Sequence, residues 1–180
     1  MKLTSTLAAL AAFAILTGCD TPTPGLLSLE PVATANDTAT DSGLVGTWQP
    51  QGDKDIIAII RQADDGSYQI AVLSGGSVMN FQAKLFRVKD GEFLDLSPSD
   101  DNDFRIPGHA VARVWIEGPA FRWAFLDSDW LKRKAAALAT HSSDGKMQLF
   151  SPTERVRAFI AANGTSDEAY GQTATWQRVQ

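Results

Sequence analysis

The chain has 180 residues, of which 44% are hydrophobic and 21% are charged, and its formal net charge is −5 at pH 7. This composition excludes a wholly disordered chain, and the acidic balance argues against a nucleic-acid-binding protein. The presence of a single Cys excludes a disulfide framework and a thiolate zinc site. The length corresponds to one domain.

The first nineteen residues have the pattern of a secretory signal that ends in a lipid-attachment site. Lys2 precedes an apolar run from Leu3 to Leu16, which is too short to span a bilayer. Residues 16–19, Leu-Thr-Gly-Cys, resemble the bacterial lipobox. That resemblance implies removal of a signal peptide, residues 1–18, and modification of Cys19 by diacylglycerol and an acyl chain such as palmitate. An ordinary secreted protein whose signal ends in Gly-Cys is the alternative.

The lipobox resemblance also predicts where the protein is located. A bacterial lipoprotein would be held at the cell membrane by its lipid and would face the periplasm, since two or three acyl chains suffice for stable anchoring. Asp20 follows Cys19 and resembles the signal that retains lipoproteins in the inner membrane of enteric-type Gram-negative bacteria. The acidic domain gains nothing from anionic headgroups, so the lipid is expected to provide the attachment.

Residues 19–43 are predicted to form the lipidated N-terminus and a flexible tether. Thr, Pro, Ala, Asp and Ser dominate this segment, and such a composition buries too little apolar surface to offset the entropy of ordering. Leu26, Leu27 and Leu29 are exceptions: we expect them to be solvated, and weak docking on the domain or on the lipid surface is the alternative. The tether would let the domain stand away from the membrane.

From Leu44 onward, short apolar runs alternate with turn signals. Asp-Gly or Gly-Pro lies between the members of three successive pairs, which predicts three β-hairpins in series. The pairs are Ile56–Arg61 with Tyr68–Leu73, Val78–Lys89 with Glu92–Leu96, and His109–Glu117 with Ala120–Asp127. Residues 44–180 are therefore predicted to be a mainly β domain built on an antiparallel up-and-down meander.

The third hairpin can be assigned a register if Gly118-Pro119 is its loop. Side chains alternate along a strand, so this loop defines two faces. One face is wholly apolar, and the other is mixed and suits solvent, with Trp115 stacked on Arg122. The apolar face pairs Ile116 with Phe121, Val114 with Trp123, and Ala112 with Phe125.

Two helices are predicted late in the chain. Residues 129–139 are rich in helix formers, with Asp127 or Ser128 as the cap. Ser151-Pro152-Thr153-Glu154 is a helix start signal, and that helix should run to about Ala162 before Asn163-Gly164. Residues 147–150 and 174–179 are expected to be the last strands.

The segment Leu44-Val45-Gly46-Thr47-Trp48 opens the meander with Gly-x-Trp. This motif at this place resembles the lipocalins and the broader lipocalin-like barrels. The resemblance implies a closed β-barrel in which Trp48 closes one end and a basic residue near the last strand, here Arg178, packs across it. The chain departs from the lipocalin pattern because it lacks a Thr-Asp-Tyr motif between the middle strands and carries two inserted helices.

The interior of such a barrel accommodates either side chains or one small ligand. Three aromatic residues on one strand favour a narrow interior, and we expect any ligand to be apolar and slim, such as an acyl chain. The candidate ligand-lining residues are Val114, Ile116, Phe121, Trp123 and Phe125. The alternative is a solid barrel that acts as a protein-interaction module, either as an inhibitor or in envelope assembly.

No motif in the chain predicts an enzyme, a metal site or a cofactor. The two His, His109 and His141, have no metal-ligand spacing. His141 stands beside Ser142, Ser143 and Asp144, but catalytic triads assemble from distant parts of a chain, so a polar turn is the better interpretation. An esterase that uses a Ser with His141 or His109 is the enzymatic alternative. The expected partners are the membrane and either an apolar ligand or an envelope protein.

Overall fold

A computed structural model describes residues 24–35, 37–99, 108–135, 138, 140–143, 146–149 and 151–179. The signal peptide and Cys19 lie outside the described residues. Two α-helices are described, α1 (Ser128–Lys134) and α2 (Thr153–Asn163). The strands are β1 (Leu26–Ser28), β2 (Thr38–Ala39), β3 (Gly46–Pro50), β4 (Ile56–Gln62), β5 (Tyr68–Ser74), β6 (Ser77–Val88), β7 (Gly91–Pro98), β8 (His109–Glu117), β9 (Ala120–Phe125), β10 (Thr140–Ser143), β11 (Lys146–Leu149) and β12 (Ala174–Arg178).

Eight of these strands close into an antiparallel barrel. Strands β3 to β9 pair with their neighbours in chain order, and β12 pairs with both β9 and β3 to complete the circle. The predicted fold class, a mainly β up-and-down meander with two helices late in the chain, is confirmed. The predicted turn at Asp90-Gly91 is shifted by one residue, because Val88 pairs with Gly91 and Lys89 adopts a φ of 51°.

The register predicted for the β8–β9 hairpin is confirmed. Glu117 lies opposite Ala120, and the φ of Gly118 is 67°, so Gly118-Pro119 forms the two-residue loop. The apolar face points into the barrel, as the alternation of side chains requires. All three predicted apolar pairs are present: Ile116 with Phe121, Val114 with Trp123, and Ala112 with Phe125.

On the outer face of the same hairpin, the Arg122 guanidinium carbon lies 5.2 Å from the centre of the Trp115 ring, as predicted, but the face is not open to solvent as a whole. Ala124 is fully buried there, and only 12% of the Arg113 side chain is exposed. This face is covered because α1, α2 and residues 32–33 pack on the outside of β6, β7 and β8, where they form a second apolar cluster. The protein thus has one core inside the barrel and another between the barrel wall and the helices.

The two helices begin close to the predicted positions. Asp127 caps α1 by accepting a hydrogen bond from the N–H of Trp130 at 2.7 Å, as predicted, but α1 ends at Lys134 and not at residue 139. Helix α2 ends at Asn163, and Val156 and Ile160 are buried on its inner side. The predicted side-chain cap of α2 is wrong, since Pro152 occupies the capping position and makes no side-chain hydrogen bond.

Residues 24–35 and 37–39 are part of the folded unit, so the prediction of a solvated tether is wrong for them. β1 pairs antiparallel with the start of β8 and parallel with β11, and β2 pairs with β6. Val32 is fully buried. The segment crosses the outside of the barrel and reaches Asp41, whose N–H donates to the Tyr68 hydroxyl at 2.7 Å. The folded part therefore begins by residue 24 rather than at residue 44.

Residues 140–143 also differ from the prediction of a polar turn. They form β10, which pairs with β11 in an antiparallel hairpin at the edge of the sheet. Among the described strands, this hairpin pairs with the barrel through β1, which lies between β11 and β8. The short β1 strand therefore connects the hairpin to the barrel wall.

Candidate functional site

One end of the barrel, here called the closed end, is sealed by the start of β3 and the end of β12. The Trp48 indole N–H donates to the Leu44 carbonyl at 2.8 Å, and the Arg178 guanidinium carbon lies 4.4 Å from the centre of the Trp48 ring. The Arg178 guanidinium also donates to the Gly43 and Val45 carbonyls at 2.9 and 2.6 Å. The structure thus places Arg178 across Trp48, in the contact that the lipocalin-like resemblance implies.

Gly46 makes this close approach possible. Its φ is +148°, a conformation that favours glycine, and a Cβ at this position would collide with the Arg178 guanidinium. Any side chain at position 46 would therefore strain the backbone and displace Arg178 from the Trp48 ring. The three residues form one structural unit: Gly46 leaves space for the Arg178 guanidinium, which packs on the Trp48 ring.

Tyr68 completes the closed end from the neighbouring wall. Its side chain is fully buried, and its hydroxyl donates to the Asp41 carbonyl at 3.2 Å. Burial raises the pKa of the Tyr68 phenol above its ordinary value, because the charged form would lose its hydration. Tyr68, Trp48 and Leu44 are each at most 1% exposed, so their side chains are packed within the closed end.

An apolar cavity of about 80 Å³ lies inside the barrel. Its residues come from every barrel strand except β3, and Phe121, which packs edge-on against Trp48 at 4.7 Å between ring centres, separates it from the closed end. The lining is formed by Ala58, Ile60, Ile70, Val72, Phe81, Leu94, Leu96, Ala112, Phe121, Trp123, Phe125 and Trp176. These side chains offer a ligand no hydrogen-bonding group apart from the two indole N–H groups.

Three of the five predicted ligand-lining residues, Phe121, Trp123 and Phe125, line the cavity. Val114 and Ile116 do not, although Val114 is buried in the same core. Both of them precede the turn at the closed end, where the interior is filled by side chains. The predicted set therefore omits the lining residues on the other strands, and it includes two residues, Val114 and Ile116, that lie nearer the closed end than the cavity does.

Sequence reasoning missed the lining residues on the other strands. The signal was present, because in β4 and β5 every second residue is apolar and buried, as in Ala58, Ile60, Ile70 and Val72. A register is predicted only for the third hairpin. In the other strands, the residues that face the interior are therefore not separated from those that face outward. Trp176 enters the cavity because β12 pairs with β9 and places it opposite Phe121.

The volume limits what the cavity can hold. One water-sized group needs about 10–15 Å³ of cavity volume. A cavity of 80 Å³ therefore accommodates a chain of about five to eight methylene-sized groups. A slim alkyl segment fits this limit, whereas a bulky ring system does not. The absence of polar side chains in the lining favours a ligand portion that forms no hydrogen bonds.

A second group of polar residues lies on the outer wall. His109 Nδ1 is 2.8 Å from Asp95 Oδ1, and the other Asp95 oxygen accepts the N–H groups of Val32 and Ala33 at 2.7 and 2.8 Å. Ser28 pairs with His109 across the strands, but its side chain is fully buried and its hydroxyl donates to a backbone carbonyl. This arrangement fastens residues 28–33 to the barrel wall.

Other candidate chemistry receives little support from the described residues. Among the residues that the structure describes, no group of three or more His, Cys, Asp or Glu is placed to hold a metal ion. Within those same ranges, neither helix is long and apolar enough to cross a bilayer. The side chain of His141 lies outside what the structure describes.

Comparison with protein-family models, with curated protein sequences and with solved structures gave no match for this chain.

Proposed function

We propose that the protein is a bacterial lipoprotein, anchored to the cell membrane through Cys19 and facing the periplasm, with a lipocalin-like barrel that binds a slim apolar ligand. Asp20 favours the inner membrane if the cell is Gram-negative. The observation that carries the binding function is the cavity of about 80 Å³ with its apolar lining. An acyl chain is the ligand that best matches this shape and chemistry.

The size of the cavity also sets the expected affinity. Burial of five to eight methylene groups at about 0.8 kcal/mol each contributes about 4–6 kcal/mol, before the cost of immobilising the chain. Dissociation constants between about 1 mM and 20 µM follow from this contribution alone. We therefore expect a weak, exchanging ligand that is readily released, unlike a tightly held cofactor.

A direct test compares two alanine-to-leucine variants. Ala58 lines the cavity, whereas Ala71 lies on the outer face of β5 and is not in contact with that space. Ala58→Leu should abolish binding of a medium-chain fatty acid such as octanoate, because the new side chain occupies the cavity. Ala71→Leu should leave binding unchanged. The measurement is an NMR titration of the indole N–H signals of Trp123 and Trp176.

The mature chain, residues 19–180, with Cys19→Ser is suitable for that titration. If octanoate shifts neither indole signal in the parent protein, or if both leucine variants bind equally well, the ligand-binding proposal is wrong. The anchoring proposal has its own test, which is the intact mass of the mature protein isolated from membranes. A mature chain with an unmodified Cys19 thiol contradicts it.

A protein-interaction module is the second candidate, and one observation favours it. Ile57, Leu73 and Val78 lie side by side on the outer face of β4, β5 and β6, and 57% of Val78 is exposed. Such a row suits contact with another protein. Val78→Glu should then abolish binding to a defined envelope partner, whereas Val179→Glu, at another exposed valine, should not. Equal binding by both variants contradicts this candidate.

A further inference from the structure

The lining of the barrel cavity is shielded from solvent except at one residue. Eleven of the twelve lining residues are at most 9% exposed. The twelfth, Leu96 near the end of β7, is only half-buried. A ligand that exchanges with solvent must pass between the side chains that enclose the cavity, and the lining comes nearest to solvent at Leu96.

The barrel wall near Leu96 is continued by β1 and not by β9. β9 pairs with β8 as far as Phe125, which lies opposite Ala112, and β9 ends there. Beyond this pair, β1 lies on the same side of β8, with Leu27 opposite Ala110. On the other side of β8, Leu96 of β7 is also opposite Ala110. Leu96, Ala110 and Leu27 therefore form a row across three adjacent strands.

Leu27 covers the barrel interior at this position. Opposed residues of paired strands point to the same face of a sheet, and Ala110 is fully buried in the core inside the barrel. Leu27 accordingly packs against that core, although its own side chain is only partly buried. The Leu27 side chain thus closes the wall beside Leu96, at the place where the cavity lining comes nearest to solvent.

Backbone pairing holds β1 to the barrel only lightly. β9 pairs with β8 at six positions, whereas β1 pairs with β8 at two. On its other side β1 pairs with β11, and among the described strands β11 pairs otherwise only with β10. β1 and the β10–β11 hairpin can therefore move away from β8 as one unit. Local openings need the least free energy where few backbone hydrogen bonds hold an element.

The segment that follows β1 is held more firmly. The N–H groups of Val32 and Ala33 donate to Asp95 at 2.7 and 2.8 Å, and the Val32 carbonyl accepts a hydrogen bond from Arg157 at 2.9 Å. Val32 is also fully buried. Residues 32–33 therefore provide a fixed point about which β1 can separate from β8, while the rest of the segment stays docked.

We infer that β1 is a gate in the barrel wall: the ligand enters and leaves where β1 separates from β8, and the Leu27 side chain closes this passage. This inference rests on the proposed ligand binding and deepens it by naming the element that controls exchange at the same cavity. A gate that opens locally sets the rate of exchange without changing the contacts of the bound ligand. The rate constants of binding and release should therefore depend on β1, while the dissociation constant stays nearly unchanged.

The test fixes β1 to β8 with a disulfide in the mature chain that carries Cys19→Ser. Leu27→Cys with Ala110→Cys places two thiols on directly opposed residues. Such residues of antiparallel strands have Cα atoms about 4.5–5.5 Å apart, within the range of a disulfide. Octanoate exchange is measured from the NMR line shapes of the Trp123 and Trp176 indole N–H signals. We expect the oxidised form to bind and release octanoate at least about tenfold more slowly than its reduced form, with the same dissociation constant.

A disulfide on the outer face of the barrel is the matched control. Ala71→Cys with Asn80→Cys joins opposed residues of β5 and β6, away from β1, and its oxidation should leave both rate constants unchanged. Equal rates in the oxidised and reduced forms of the β1–β8 variant overturn the gate, because exchange then uses another passage. Equal slowing by the two disulfides overturns it as well. Failure of the proposed function is distinguishable, since octanoate then shifts neither indole signal in the parent protein.

Leu27→Ala tests the gate without a disulfide. The substitution removes the side chain that closes the wall and leaves the backbone pairs of β1 in place, so we expect octanoate exchange to become about threefold to tenfold faster. Leu29→Ala, at a neighbouring leucine that is 36% exposed, is the control and should exchange at the rate of the parent protein. A Leu27 variant that exchanges no faster than the parent contradicts the role assigned to Leu27.

Discussion

The guanidinium carbon of Arg178 lies over the Trp48 ring, 4.4 Å from its centre, so a residue of the last barrel strand covers one of the first. The two residues are 130 positions apart, yet Arg178 lies directly opposite Trp48 in the β3–β12 pairing. The same guanidinium donates hydrogen bonds to the carbonyl oxygens of Gly43 and Val45, which precede β3. This contact closes the barrel and blocks one end of its interior.

Arg178→Ala should destabilise the protein by about 1–3 kcal/mol. The substitution removes the cation–π contact and two charge-assisted hydrogen bonds, while the Gly43 and Val45 carbonyls remain accessible to water. Urea unfolding followed by Trp fluorescence measures the change. Gln177→Ala, at the exposed neighbouring position, is the control and should change stability by less than about 0.5 kcal/mol. Equal losses in the two variants would contradict the assigned role of Arg178.

Gly25→Ala should detach the start of β1 from the barrel. The new methyl group would overlap the Leu126 carbonyl and the Ser128 hydroxyl, both within 2.7 Å of the ideal Cβ position. We expect faster hydrogen exchange at the Leu27 amide and a loss of about 1–3 kcal/mol in unfolding free energy. Gly108→Ala is the matched control, because a Cβ there meets nothing within 4 Å. Unchanged exchange at Leu27 in the Gly25 variant would show that the close contact does not exist.

Asp95→Ala should loosen the segment that crosses the outer wall. The Asp95 side chain is 3% exposed, accepts hydrogen bonds from the N–H groups of Val32 and Ala33, and lies 2.8 Å from His109 Nδ1, so its removal leaves the two buried N–H groups without this acceptor. We expect a loss of about 2–5 kcal/mol in urea unfolding. Asp95→Asn retains one carbonyl oxygen and should recover part of the loss. An Ala variant as stable as the parent would contradict this role of Asp95.

Stability should fall at alkaline pH in a manner that depends on Tyr170. Burial raises the Tyr170 pKa well above its ordinary value of 10.0, with the Arg113 guanidinium opposing the rise and the Asp167 carboxylate adding to it. The unfolded state loses this proton first, so the stabilising contribution is complete below pH 10 and is lost progressively above it. Tyr170→Phe should show a smaller decline in urea unfolding free energy between about pH 9 and pH 11. Equal declines in both proteins would exclude Tyr170 as the source.

The order of the strands and the register of the third hairpin could be predicted because their determinants are local. Two-residue turns such as Gly118-Pro119 set which residues face each other, and alternation sets which face is apolar. The Arg178–Trp48 contact was accessible only through a family resemblance. The cavity lining was predicted in part, since the inward positions of β9 were assigned and those of the other strands were not.

The covering of the barrel wall was the main feature that the sequence could not reveal. Apart from three Leu and Val32, residues 24–39 are small, polar or Pro, and this composition is typical of a solvated tether. They are ordered because Asp95, 63 positions after Val32, offers a buried acceptor, and because Arg157 donates to the Val32 carbonyl at 2.9 Å from α2. Neither partner is recognisable until the chain has folded.

The amino-acid sequence by itself determined the alternating strands, the turns between them and therefore an antiparallel meander with one apolar face, because each of these depends on residues that are close together in the chain. The closure of the meander into a barrel was implied only by the lipocalin-like resemblance. Only the tertiary structure decided how much of that interior stays empty, which outer surfaces are covered and where the N-terminal segment attaches. These properties depend on side chains such as Asp95, Phe121 and Trp176, which meet their partners only across the closed barrel and the helices packed on it.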